Sequence, residues 1–193
     1  EKLIPIANGY SRINLKLRSN EESEINGMGP VIGKEDIDKL YQMLDTLKAG
    51  DVLVLAGSIP ASMPSTMYSD IMEYLQDKKV LIAVDATKDL LVNVLPFHPF
   101  VIKPNNYELG EIFDVTLKDK KDVIVYAKKL REQGARNVLV SMAGDGAVLV
   151  AEDGSVYESE APKGKVVNSV GAGDSMVAGF LYGYLTTENY EIA

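Results

Sequence analysis

Hydrophobic and polar positions divide the chain into two unequal parts. Residues 11–18 alternate, with Ile13, Leu15 and Leu17 set against Arg12, Asn14, Lys16 and Arg18. A period of two over this length predicts a half-buried strand. A polar turn, Ser19 to Glu22, leads to a second short strand at Ser23–Asn26, and Asn26-Gly27 opens a glycine-rich exit that ends at Gly29-Pro30. Two strands before any helix suggest a small sheet set apart from the main body. Its polar face would carry Arg12, Asn14 and Lys16, which solvation alone explains, since exposed charges are the norm.

From Lys34 the period lengthens. Ile37, Leu40, Tyr41, Leu44 and Leu47 recur at helical spacing before Gly50, where a helix would stop. Asp51–Ala56 is a continuous apolar run, as expected of a strand buried on both faces. A helix from Pro64 carries the stripe Tyr68, Ile71, Met72 and Leu75; the next strand is Val80–Val84, ending at Asp85. A short helix around Leu90–Leu95 precedes the strand Phe100–Ile102. Helices over Asn106–Phe113 and Asp122–Gln133, then a strand over Asn137–Ser141, complete the series. Strands alternating with helices at short spacing predict an α/β fold, a mainly parallel sheet covered by helices. Val148–Ala151 and Ser155–Glu158 flank Asp153-Gly154, the expected hairpin turn.

Such folds bind ligands beyond the C-terminal ends of their strands. There the sequence places Gly57-Ser58, Asp85, Lys103–Asn105, Ser141–Gly146 and Gly171–Asp174. Five loops on one rim thus gather glycines, small hydroxyls and isolated polar groups, which implies a small-molecule site. The run from Val166 to Leu185 is the one that organises it: a strand end, a glycine turn and a small-residue helix. Gly171 and Gly173 let a ligand approach the main chain, and a helix start offers unpaired N–H groups to an anion. Asp174 puts a negative charge in that position. It either caps the helix or takes a proton from a hydroxyl while the neighbouring amides hold a phosphoryl group.

Other motifs carry less. Ser141-Met-Ala-Gly144-Asp-Gly146 lies between two strands, so it is no dinucleotide fingerprint, and no G-x-x-x-x-G-K-[ST] occurs. A plain turn explains it unless Ser141 and the Gly144 amide face a polyphosphate. Asn105 and Glu108 stand one helical turn apart and can share a face. They suit either a hydrated Mg²⁺ or a capping box. His98, the single histidine, has no visible partner and fits packing or surface exposure. Ser175, Gly179 and Gly183 at spacing four fit tight packing of their helix on the sheet.

Composition narrows the class without choosing the chemistry. The chain is 46% hydrophobic and 25% charged, with net charge −8, so a nucleic acid or an anionic membrane surface is not an expected partner. The absence of cysteine excludes disulfides and thiolate metal sites and fits a cytoplasmic protein. No apolar run is long enough for a bilayer.

GAGDSMVAGF (Gly171–Phe180) resembles the C-terminal signature of the PfkB-type, ribokinase-like sugar kinases. SRINLKL (11–17), SEINGMGP (23–30), GSIP (57–60), PFVIKPNNYELGEIF (99–113) and VVNSVGAGDSMVAGF (166–180) extend the resemblance, most closely to kinases of fructose 1-phosphate. The resemblance implies a ribokinase-like core over 33–193 and part of a β lid over 1–32. It implies Asp174 as catalytic base, and the amides of Gly171, Ala172 and Gly173 as an anion hole. Lys103, Asn105, Ser141, Gly144 and Gly146 would face ATP; Asn105 and Glu108 would organise Mg²⁺; Arg12 and Ser58 would contact the sugar phosphate. The implied reaction is ATP-dependent phosphorylation of the 6-hydroxyl of fructose 1-phosphate. Kinases of tagatose 6-phosphate, or a nucleotide- or metabolite-binding module without turnover, are the alternatives.

The family's N-terminal βαβ portion and C-terminal adenine-pocket segment have no counterpart in the chain, which is therefore expected to be part of a longer protein and inactive alone. Thr187–Ala193 is expected to open a further helix. Asn168 stands where many relatives carry Asp at a potassium-linked site, which puts cation activation in question. Pairing of two copies through their lid sheets is a further implication of the resemblance.

Overall fold

The computed structural model describes residues 3–6, 9–18, 22–166 and 168–193. Strands β1 (Asn14–Arg18) and β2 (Glu22–Asn26) form an antiparallel ribbon in which Asn14 faces Asn26 and Leu15 faces Ile25. The polar turn expected between them falls at 19–21, outside the described residues. The ribbon departs from the expected half-burial: Leu15, Leu17 and Ile25 are all exposed, because no element among the described residues packs on its apolar side.

The main sheet has six strands in the order β3 (Val52–Ala56), β4 (Leu81–Asp85), β5 (Val101–Ile102), β6 (Asn137–Ser141), β7 (Ala147–Val150) and β8 (Val156–Ser159). The first four are parallel and the last two antiparallel. Helices α1 (Lys34–Leu44), α2 (Met67–Leu75), α3 (Asp89–Val92), α4 (Asn106–Phe113), α5 (Lys120–Glu132) and α6 (Ala172–Thr187) complete the core. This is the α/β architecture expected from the alternation of elements.

Side-chain alternation along the strands splits the interior in two. On one face Ile82, Val84, Ile102, Val138 and Val140 pack on Ile71, Met72 and Leu75 of α2, Leu109 of α4 and Leu130 of α5. On the other, Ala83, Val101, Leu139 and Leu149 pack on Val177, Phe180 and Leu181 of α6. Burying one such leucine contributes about 1.5–3 kcal/mol. The second face has one helix where the first has several. Hence β3, expected to be buried on both faces, keeps Val54 47% exposed and buries only Leu55. It is also the sheet's outer strand, with β4 as its one neighbour.

Several helix ends move from their expected places. The start expected at Pro64 is a turn, Met67 N–H to Pro64 O at 3.1 Å, and α2 begins after it. Asp119 caps α5 by accepting from the Asp122 N–H at 3.0 Å. Residues after α6 make one turn, with the Ile192 and Ala193 amides both on Asn189 O, the second at the four-residue spacing with which a helix opens. Gly183 gives room for that turn: an added Cβ would lie 2.7 Å from Ala193 Cα. Ser175 and Gly179 are exposed and Gly179 meets nothing, so the small-residue stripe serves the tail and not sheet packing.

Candidate active site

Cross-strand bonds draw the expected loops together at one rim. Gly57 N–H donates to Asp85 O at 3.0 Å, Lys103 N–H to Val84 O at 3.1 Å, and Ser141 N–H to Pro104 O at 3.1 Å. Tyr68, rising from α2, donates its hydroxyl to Ala56 O at 2.8 Å and so fixes the Gly57-Ser58 turn. Burial, with the nearby Asp85 charge, raises that phenol above its ordinary range.

Gly171 precedes α6 with φ +82°, a left-handed conformation costly for any residue with a Cβ. The turn aims the first amides of α6 outward. Ala172 N–H bonds Ser169 O at 3.1 Å, which removes it from the expected anion hole; the local turn uses it. Gly171 and Gly173 give their amides to no partner among the described residues. Asp174, third residue of the helix, makes no capping bond and is exposed. The capping explanation of this acid therefore fails, and Asp174 joins Val54, Ala56, Asp85, Val177, Ala178 and Leu181 in lining an open, mainly apolar cavity of about 250 Å³.

Asp85, placed at the rim by the sequence but given no role there, is the second acid of the site. It ends β4, and its Oδ1 lies 3.1 Å from the Lys103 ammonium. Lys103 is 6% exposed, one of two polar or charged residues among the buried set. An unpaired buried ammonium would be costly, so the pair is what permits its burial. Burial pushes the Asp85 carboxyl above the usual carboxylate range. Lys103 pulls it partly back, and the Asp174 charge adds to the rise.

Asn105 and Glu108 form the capping box of α4. The Asn105 side chain accepts from the Tyr107 and Glu108 amides at 2.9 and 2.8 Å, and Glu108 Oε2 accepts from the Asn105 N–H at 2.7 Å. This occupies the Asn105 oxygen and leaves one Glu108 oxygen. Among the described residues no group of three or more His, Cys, Asp or Glu side chains could cage a metal. The donor set fits a hydrated Mg²⁺ touched through its waters, the usual state of that ion at phosphates. It does not fit a direct protein cage.

Ser141 bridges to Asn105 across the strand ends. Beyond it Ala143 takes φ +48°, unusual for a residue with a side chain, and Gly144 meets nothing within 4 Å of where a Cβ would be. Gly144 lines a cavity of about 560 Å³ in which Lys118, Lys120 and Lys163 are balanced by Asp119, Asp145 and Glu160. Gly146 serves the fold: at φ +88° its Cβ would stand 1.9 Å from Ser159 O. Across the rim, the Arg12 guanidinium donates to the Ser58 hydroxyl while remaining exposed, a partner that the solvated reading did not provide. Ser58 lines a cavity of about 440 Å³ that also holds Thr87 and Lys88. His98 lies away from this rim, its Nδ1 3.0 Å from Gly134 O.

An exposed carboxylate and open helix-end amides stand beside a buried cation at the strand-end rim of an α/β fold. The chain belongs to the pfkB family of carbohydrate kinases, whose profile matches residues 5–193. It is 47% identical over 175 residues to 1-phosphofructokinase of Bacillus subtilis (strain 168), covering 91% of this chain and 57% of that one. It is 33% identical to D-tagatose-1-phosphate kinase of Bacillus licheniformis, covering 90% and 57%. Phosphofructokinase-2 from Escherichia coli, solved with substrates and products, superposes with TM-score 0.81 at 25% identity, covering 91% and 58%. The chain thus spans little more than half the length of the relatives it matches.

Proposed function

We propose that the full-length protein carrying this chain phosphorylates fructose 1-phosphate at its 6-hydroxyl, with ATP as donor, giving fructose 1,6-bisphosphate and ADP. The observation that carries the reading is Asp174, uncapped and exposed one residue beyond the open Gly173 amide. In this reading Asp174 accepts the hydroxyl proton as the oxygen attacks the γ-phosphorus, and the amides of Gly171 and Gly173 take the charge on the moving phosphoryl group. Lys103 and the Ser141–Gly144 loop face the nucleotide. Arg12 and Ser58 hold the sugar phosphate. Glu108, set by Asn105, would hold Mg²⁺ through its waters, and the ion would offset phosphate charge when bound. The cytoplasm is the compartment such substrates imply; among the described residues no helix is long and apolar enough to cross a membrane.

The reading is tested by coupled measurement of ADP formation with fructose 1-phosphate, D-tagatose 1-phosphate and tagatose 6-phosphate in parallel. Highest kcat/KM on fructose 1-phosphate sustains it. The tagatose 1-phosphate arm answers to the relative of that name, and turnover of neither sugar class ends the proposal. The exposed apolar side of the β1–β2 ribbon, Leu15, Leu17 and Ile25, supports pairing of two copies through it. Light scattering should give a dimer that Leu15→Glu dissociates.

A further inference from the structure

The rim holds two carboxylates and one buried ammonium, and the ammonium is committed to the carboxylate that is not the expected base. We infer that Asp85 is a positioning residue: it fixes Lys103 against Gly173 and keeps that cation off Asp174. The inference rests on the kinase reading of the site and goes beyond it by giving Asp85 a task.

Three observations carry it. Lys103 leaves β5 directly beside Asp85, since its N–H bonds Val84 O on the neighbouring strand, so the two side chains start side by side. Their charges meet at 3.1 Å, with the side chains 8% and 20% exposed. Finally, the pair fills the space that Gly173 leaves. A Cβ there would be 3.2 Å from Lys103 Nζ, 3.4 Å from its Cε and 3.9 Å from Asp85 Oδ2. The missing side chain of Gly173 is therefore matched to the ion pair as well as to a ligand. A lysine stem is flexible and its ammonium is a mobile point charge. Released from Asp85, it would have Asp174 as the other carboxylate of the same cavity, and a base paired with a lysine is a poorer base. Held by Asp85, it stays at the amide-lined end of α6, where negative charge gathers during transfer.

The test is a double-mutant cycle in the full-length protein with Asp85→Asn, Lys103→Met and the two combined, read in kcat, KM for the sugar phosphate and MgATP affinity. If Asp85 acts through Lys103, Asp85→Asn lowers kcat by about 10²-fold, the scale expected for a misplaced group. The sugar KM stays within about twofold. The combined variant is then no slower than Lys103→Met alone, because coupled residues do not add. Asp85→Glu, which keeps the charge, recovers part of the rate. Multiplying losses would overturn the inference and give Asp85 an independent role. If Asp85→Asn fails to fold, Lys103→Met against the combined variant decides alone, since neither leaves an ammonium buried unpaired: equal rates sustain the inference, and a slower combined variant overturns it. Should wild type turn over no sugar phosphate, the kinase reading falls, and the same cycle in MgATP affinity still decides whether Asp85 acts through Lys103.

Discussion

The two ends of α6 are built to opposite plans. At the Ala172 end, backbone amides and the Asp174 carboxylate are left open, and a single ion pair stands behind them. At the Thr187 end nearly everything is engaged. Phe100 and Tyr184 pack with ring centres 4.9 Å apart, and Tyr184 and Tyr190 stack at 4.8 Å. Tyr190 donates its hydroxyl to Glu152 Oε1 at 2.5 Å, and Arg136 grips the same carboxylate through Nε at 2.6 Å while lying 5.0 Å from the Phe100 ring. Asn137, fully buried, bonds Phe100 O at 2.8 Å and accepts from the Glu152 N–H at 3.0 Å. The difference separates anchoring from chemistry. One end of the helix is fixed so that the other can present unsatisfied groups without collapsing onto them.

Substitutions at each end should therefore fail in different ways. The largest effect is expected from Asp174→Ala in the full-length protein, a loss of about 10²–10⁴ in kcat for removal of a general base. Its melting temperature should be unchanged; a fall in stability of similar size would mean that the acid is structural. Phe100→Ala at the anchored end should reverse the pattern, costing about 3–5 kcal/mol in urea unfolding through the cavity it leaves. Tyr190→Phe removes the hydroxyl that donates to Glu152 and accepts a longer bond from Asn137 Nδ2, and should cost about 1.5 kcal/mol, measurable in the same titration.

The smallest effect concerns acid. Hydrogen bonding from Arg136, and then from Tyr190, holds the Glu152 carboxyl below its ordinary value of 4.5. A depressed carboxyl contributes stability above the unfolded pKa and loses it as pH falls through the folded one. Glu152→Gln should accordingly flatten the decline in melting temperature below pH 4.5, with little change in its pH dependence near neutrality. An unaltered acid slope would show that this cluster does not set it.

What could be read from the sequence followed the range of each interaction. The α6 entry was legible because Gly171, Gly173 and Asp174 act within one turn. The alternation of strands and helices was equally plain. Asn105 and Glu108 were read correctly as one unit, but the choice between cap and ion needed atomic positions, and the cap is what the bonds display. Asp85 could be placed at the rim, yet its tie to Lys103 depends on the register of two parallel strands, which no spacing in the chain encodes. Arg12 looked like part of a solvated polar face with Asn14 and Lys16 because its contact with Ser58 joins residues far apart in sequence. The exposure of Val54 was missed for a related reason: an apolar run reads alike whether its second face is covered or bare.

That bare strand has a practical consequence. Along the outer side of β3, the ladder groups of Val52 and Val54 meet no partner among the described residues, while Ala56 O is taken by the Tyr68 hydroxyl. Such a margin is a template for another backbone. Produced by itself, the 193-residue polypeptide should self-associate with rising concentration, and a proline at Val54, which deletes a donor from that margin, should delay the onset in a dilution series followed by sedimentation.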